Sequence, residues 1–280
     1  MKNKFLLLFF CFGFVQQSFS QNTKKEEGIK HYMPLYLDIP AEMNVKKGYK
    51  EINIAGGYAD FKDFNGERAL VEYDFAPIDK LGFEIEIPFV FVHQKIQNMQ
   101  SGNTDVIIPE EGGAVKSAMA LRVGFSYSLC SFQKAKTSIA VGYFNEFELT
   151  PFEHFGKPLL EGNVYNPFIA VAKIFGDRFH TMIYTGPAIK QSFELHESKT
   201  NVRFNTIISY RFGKGNKETF AGVECNQTWA KAEAGQMVLR PQIQVEITEK
   251  WKLGFVGGIP IATSNNLNAS GFMRLIYSPR

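Results

Sequence analysis

Two pairs of acidic residues stand at alternate positions of neighbouring apolar runs, Glu72 and Asp74 in one and Glu84 and Glu86 in the next. Carboxylates spaced by two share one face of a β-strand, because strand side chains alternate sides. Six bases occupy the matching face of later runs: Arg122, Arg203, Arg211, Arg240, Lys252 and Arg274. If the strands close into a barrel, the last lies beside the first, so Arg274 and Lys252 approach the acidic wall. Such a lumen does one of two things. It presents a transverse field along a solute path, since rings of charge set pore selectivity. Or it forms salt bridges that cross-brace the interior, since an unpaired ion in a narrow barrel is costly.

Other chemistry has less to stand on. His196-Glu197-Ser198 has the His-x-Ser spacing of some outer-membrane lipid hydrolases, yet it falls in an expected loop and lacks an acid or amide at a matching downstream strand position. A nucleophile needs a fixed base and a group to orient it. His31, His93, His154 and His180 have no zinc-ligand spacing with Cys, Asp or Glu, and the glycines at Gly213 and Gly215 read as a turn, without the form of a phosphate loop. The expectation is a protein that is not an enzyme, with no cofactor and no metal. Cys130 and Cys225 fall in different runs, and their spacing does not establish a disulfide. A net charge of +3 without a basic patch argues against nucleic acid.

The elements that position these residues follow from a period of two. Met119, Leu121, Val123, Phe125, Tyr127 and Leu129 interleave with Ala120, Arg122, Gly124, Ser126 and Ser128, and the same alternation recurs over 202–212 and 237–247. Read throughout, it gives an all-β, transmembrane antiparallel β-barrel of about twelve strands, with ten to fourteen acceptable. The strands fall near 51–58, 69–75, 81–93, 117–129, 137–149, 164–174, 179–190, 201–212, 219–229, 236–247, 251–261 and 269–277. The weakest are the first, interrupted by Gly56 and Gly57, and those with Pro167 and Pro187, since proline has no N–H for a ladder. Connections alternate between short (76–80, 131–136, 175–178, 213–218, 248–250) and longer (59–68, 94–116, 150–163, 191–200, 230–235, 262–268). That asymmetry puts both termini on the short-turn, periplasmic side and the long loops outside. Phe75, Tyr127, Tyr210, Phe212, Trp251 and Tyr277 would girdle the short-turn rim, and Phe89, Phe91, Phe147 and Trp229 the other. A soluble secreted sandwich or lipocalin-like barrel would also alternate, with its apolar face inward. Here the polar face is heavy in Gly, Ala, Ser and Asn with isolated charges, as a confined lumen would be.

Lys2 and Lys4 before the apolar run Phe5 to Val15 form a secretory signal over 1–20, cleaved before Gln21. The run is too short to cross a bilayer as a helix. The organisation expected is signal peptide 1–20, a periplasmic leader or small plug 21–50, and a barrel 51–280 in the cell outer membrane. Removing 20 of 280 residues leaves about 260, enough for one large domain. Expected partners are membrane lipid, the outer-membrane assembly machinery acting on the closing strand Gly271 to Tyr277, and a small solute. The favoured function is a narrow pore, or a small-solute or hydrophobic-ligand transport barrel with a charged lumen. The alternative is a closed structural or docking barrel that presents loops, with a lipid hydrolase a minor third.

His31-Tyr32-Met33-Pro34-Leu35-Tyr36-Leu37-Asp38, Lys46 to Glu51, and Val71 to Phe89 (VEYDFAPIDKLGFEIEIPF) resemble a family of Bacteroidetes outer-membrane proteins with HAEPLY and EYEFAPIDRLGLEVEVPF segments. The resemblance implies an outer-membrane barrel and no established activity. A purine-biosynthesis synthase label borne by some members would imply cytosolic, cysteine-dependent nucleotide chemistry, for which this chain has no apparatus. His-Tyr-Met-Pro stands here where the family reads His-Ala-Glu-Pro, so a role for that acidic position does not carry over.

Overall fold

The computed structural model describes residues 28–36, 39–62, 64–94, 116–150, 156, 158–193, 195–212, 219–230, 235–262 and 267–279. The signal expected over 1–20 lies outside them. Among the described residues the structure has twelve strands and no helix: β1 (Lys50–Phe61), β2 (Phe64–Ile78), β3 (Leu81–Gln94), β4 (Lys116–Phe132), β5 (Thr137–Leu149), β6 (Leu160–Phe175), β7 (Phe179–Ser192), β8 (Glu197–Phe212), β9 (Thr219–Ala230), β10 (Gln236–Glu246), β11 (Trp251–Ala262) and β12 (Leu267–Tyr277). Each pairs antiparallel with its chain neighbours, and β12 pairs with β1, for example Ile54 with Leu275, so the sheet closes and has no edge. Closure satisfies the backbone without water, which a sheet in hydrocarbon requires.

Side-chain direction separates this barrel from a soluble one. Ile54, Ile208 and Ile259 point outward and are 55%, 61% and 53% exposed, whereas Glu72, Glu84 and Glu224 point inward and are each 1% exposed. A water-soluble barrel would reverse the two faces. At the short-turn rim the outward aromatics touch in a row: Tyr73 with Phe75 at 5.6 Å, Phe75 with Phe83 at 5.4 Å, then Phe125 and Tyr143 at 6.3 Å per step. Phe179, Tyr210 and Phe212 continue the row on β7 and β8, and Trp251 meets Tyr277 at 4.6 Å on β11 and β12. Amphipathic rings at that level suit a membrane interface.

Two connections differ from expectation. The loop expected over 59–68 is a tight hairpin: β1 and β2 run on until Asp60 faces Asn65. Likewise β7 and β8 continue into the stretch expected as a loop over 191–200, until Ser192 faces Glu197. Strands that outrun the bilayer need not alternate there, so their ends carry no period-two signal. Most of the stretch expected as a loop over 94–116 lies outside the described residues.

Prolines mark three seams. Ladder pairing is interrupted at Pro88 between β3 and β4, at Pro167 opposite Pro187 between β6 and β7, and at Pro241 between β10 and β11; register is the same on both sides of each gap. Proline lacks the donor the ladder needs. At the middle seam Asn166 Nδ2 donates to the Pro187 carbonyl at 2.7 Å, so a side chain replaces the missing ladder donor. Cys130 and Cys225 are both free thiols.

The described residues of the stretch from Gly28 to Val45 pack against the inner wall. Ile29, Tyr32, Leu35, Ile39, Ala41, Met43 and Val45 are all buried. The stretch starts by the short-turn rim, where His31 meets Ser138, rises to Tyr36 and descends to leave beside Ala76, whose N–H donates to the Tyr49 carbonyl at 3.0 Å.

Candidate lumen site

Five wall residues hold the backbone of this inner segment from several sides of the barrel. Gln242 on β10 accepts the Leu35 N–H at 2.8 Å, and Arg274 on β12 donates to the Leu35 carbonyl at 3.3 Å. Ser126 on β4 donates to the Pro40 carbonyl at 2.5 Å, and Ser128, two residues on, accepts the Asn44 N–H at 2.7 Å. Asp74 on β2 accepts the Ala41 N–H at 3.3 Å. Gly82 is what lets this stretch lie so close, since a Cβ there would collide with the Ala41 methyl.

The four expected carboxylates share one patch of wall with three of the six expected bases. Arg122 binds Glu84 through Nη2 at 2.8 Å and Nε at 3.1 Å, also pairs with Glu86, and lies 4.6 Å over the Phe144 ring. Arg274 pairs with Glu72, which also accepts from Asn53 at 2.5 Å. Lys252 reaches Glu51, an acid outside the four expected ones, at 3.4 Å. The other three bases sit elsewhere. Arg203 shares a small cavity with Arg122 and Glu146, and Arg211 lies near the short-turn rim beside Lys136, Asp177 and His180. Arg240 donates to Asn226 Oδ1 at 2.6 Å and to Ser270 Oγ at 3.3 Å, with its guanidinium 3.3 Å from the Tyr36 ring centroid.

Carboxylate oxygens of Glu72, Asp74 and Glu84 lie within 4.8 Å of one another, a set that could gather round a cation. Arg274 and Arg122 already supply positive partners there, and the neutral Asn53 amide donates to Glu72 and Asp74. His196 is in the β7–β8 turn with φ of 52°, while Ser198 is an exposed residue of β8, and no hydrogen bond joins the two.

Sequence reasoning missed Glu51, Asn53, Glu224 and Asn226. Glu224 and Asn226 share the inward parity of Phe220 and Gly222, so the alternation of β9 carried the signal; Glu51 and Asn53 were hidden by the glycine-broken first strand. It also missed how His31 is housed. His31 Nε2 meets Ser138 Oγ at 2.9 Å, and burial, then nearby His180, lowers its pKa to about 4. Tyr49, partly buried where the segment joins β1, has its phenol pushed well up by burial and then by the carboxylates of Glu51, Glu42 and Asp74. In the exposed β6–β7 turn, the Lys136 ammonium holds the Asp177 carboxyl below its ordinary range.

The HAEPLYID-like family model matches residues 27–278, nearly all of the inner segment and barrel. The chain belongs to the HAEPLYID-like family. The octapeptide that the name spells corresponds here to His31 to Asp38, and its described residues 31–36 lie inside the barrel, with His31 and Leu35 the most buried. No curated protein matches the sequence. Among solved structures, an outer-membrane channel from Pseudomonas putida F1 is similar with a TM-score of 0.63 at 10% identity, over 87% of this chain and 100% of that one. The KdgM porin is similar with a TM-score of 0.52 at 14% identity, over 82% of this chain and 99% of that one. The same porin in complex with disordered oligogalacturonate gives 0.51 at 16%, over 82% and 99%. At these identities the likeness is one of fold: this HAEPLYID-like chain has the barrel fold of outer-membrane channels.

Proposed function

We propose that this HAEPLYID-like protein is an outer-membrane transport barrel for small solutes, exported by the 1–20 signal and closed at rest by residues 28–49 acting as a plug. The observation that carries the reading is the way Asp74, Ser128, Gln242 and Arg274 hold the segment's backbone across the lumen. A barrel serving only as an anchor could fill its interior with wall side chains. Hydrogen bonds to a separate stretch of chain give an interior whose filling can leave. The apolar exterior and the channel-like fold support the membrane setting, with lipid around the belt and the assembly machinery acting on the closing strand. No part of the reading needs catalysis, a cofactor, a metal or nucleic acid.

The experiment is conductance in planar bilayers. Full-length protein should pass little current, and a form lacking residues 28–45 should pass at least tenfold more. Met43→Asp gives a second route, because it puts a charge into the apolar seat of the segment and leaves the wall intact. Low conductance from both, with the barrels folded by circular dichroism, would refute the transport reading. The closed docking barrel would then take its place.

A further inference from the structure

On the long-loop side of Tyr36 the lumen holds a cavity of about 150 Å³ whose lining is amphipathic. One part is cationic: Arg68 on β2 and Arg240 on β10 both line it, and no carboxylate does. The rest is apolar, from Phe61, Val238, Leu267 and Phe272.

The two guanidiniums are built into place. Arg68 Nη1 donates to the Tyr36 hydroxyl at 2.7 Å. Arg240 lies flat on the Tyr36 ring and is held at its other edges by Asn226 and Ser270. Asn226 in turn donates to Glu224 Oε1 at 2.5 Å, so Glu224 fixes the amide that aims Arg240. A Cβ at residue 258 would run into Ser270 Oγ, so the glycine there admits the Arg240 to Ser270 contact. With two guanidiniums and no carboxylate among its lining residues, the cavity wall is positive. Planar guanidiniums present paired donors that match a carboxylate, while the ring faces and aliphatic side chains beside them favour an apolar body.

We propose that this cavity binds a small organic carboxylate, its anionic group between Arg68 and Arg240 and its apolar part against Phe272 and Val238. The assignment deepens the transport reading and rests on it for a purpose: the site stands on the loop side of the plug, where a solute arriving from that rim meets Tyr36. Occupancy would compete for the donors that hold Tyr36, which couples arrival of the solute to loosening of the segment.

Binding can be measured without transport. Full-length protein in a zwitterionic detergent is titrated with 4-fluorobenzoate and, separately, with neutral 4-fluorobenzamide, and fluorine resonance broadening is read. The acid should bind at least tenfold more tightly than the amide. Arg68→Gln, at an exposed position that the barrel can spare, should weaken the acid about tenfold and leave the amide unchanged. Arg240→Lys keeps the charge but loses the planar stack on Tyr36 and should also weaken the acid. Equal binding of acid and amide, no binding of either, or an acid affinity untouched by Arg68→Gln would each overturn the proposal. Acid binding without current from the segment-deleted form would keep this site and refute transport; current without acid binding would do the reverse.

Discussion

The inner segment touches two unlike half-walls. Toward β5 to β8 it meets an apolar cluster in which Ile39 and Met43 pack with Phe144, Phe168, Met182, Tyr184 and Ile207. Toward β1 to β4 and β10 to β12 it meets Asp74, Ser126, Ser128, Gln242 and Arg274, which grip its backbone by hydrogen bonds. Burial of apolar surface is strong and non-directional. Hydrogen bonds and ion pairs contribute little net energy but demand one geometry. The first half-wall therefore supplies most of the adhesion, and the hydrogen bonds of the second fix register. A smaller apolar cluster of Tyr32 and Leu35 against Phe220, Val256 and Ile276 adds adhesion on that second side.

The comparison breaks most clearly at Met43→Asp, which attacks adhesion: conductance should rise by an order of magnitude or more, and the 28–49 segment should become open to protease. Arg274→Gln attacks register instead. It leaves Glu72 buried without its cation, which costs about 3–5 kcal/mol for such pairs, and urea unfolding in micelles should show that loss with a smaller rise in current.

Acidification comes next. His31 in its seat titrates near 4, below the ordinary histidine value of about 6.5. The docked segment thus binds fewer protons than the released one, so docking is at full strength above about pH 6.5 and weakens as pH falls toward 4. Conductance should rise over that window. His180 nearby adds like charge, and His31→Gln should flatten the response; an unchanged pH profile in that variant would assign the effect to other groups.

Glu84→Gln with Glu86→Gln should act less. Arg122 loses both carboxylates but keeps its seat on Phe144, so the expected result is a modest current increase with a shift toward anion preference in the reversal potential. Asp177→Asn sits at the foot of the scale. Its pair with Lys136 is exposed and screened, so neither unfolding nor current should change measurably.

Much of the wall was legible because a barrel in lipid enforces strict alternation wherever it meets hydrocarbon. That is why the ladder of β4 could be read from Met119 to Leu129, and why strand ends such as Phe64 to Arg68 could not. The acidic wall was legible by the same parity, and so was the approach of Arg274 to it. Parity gives Arg203, Arg211 and Arg240 a face but says nothing of their height. Height depends on strand stagger round the barrel, which no single strand's sequence states. The path of His31 to Val45 left no period to read, because a segment wedged between two unlike walls answers to each in turn.

The proline seams have a mechanical meaning. Interstrand hydrogen bonds are what resist sliding between neighbouring strands, so shear stiffness is lowest at Pro88, at Pro167 against Pro187, and at Pro241. The wall is thus three panels, β4 to β6, β7 to β10 and β11 round to β3, joined at creases that share one register above and below. Amide exchange beside the creases should run ahead of exchange within the panels. A tube creased in this way changes cross-section by flexing at its corners, so the bore can widen or flatten while every strand keeps its partner.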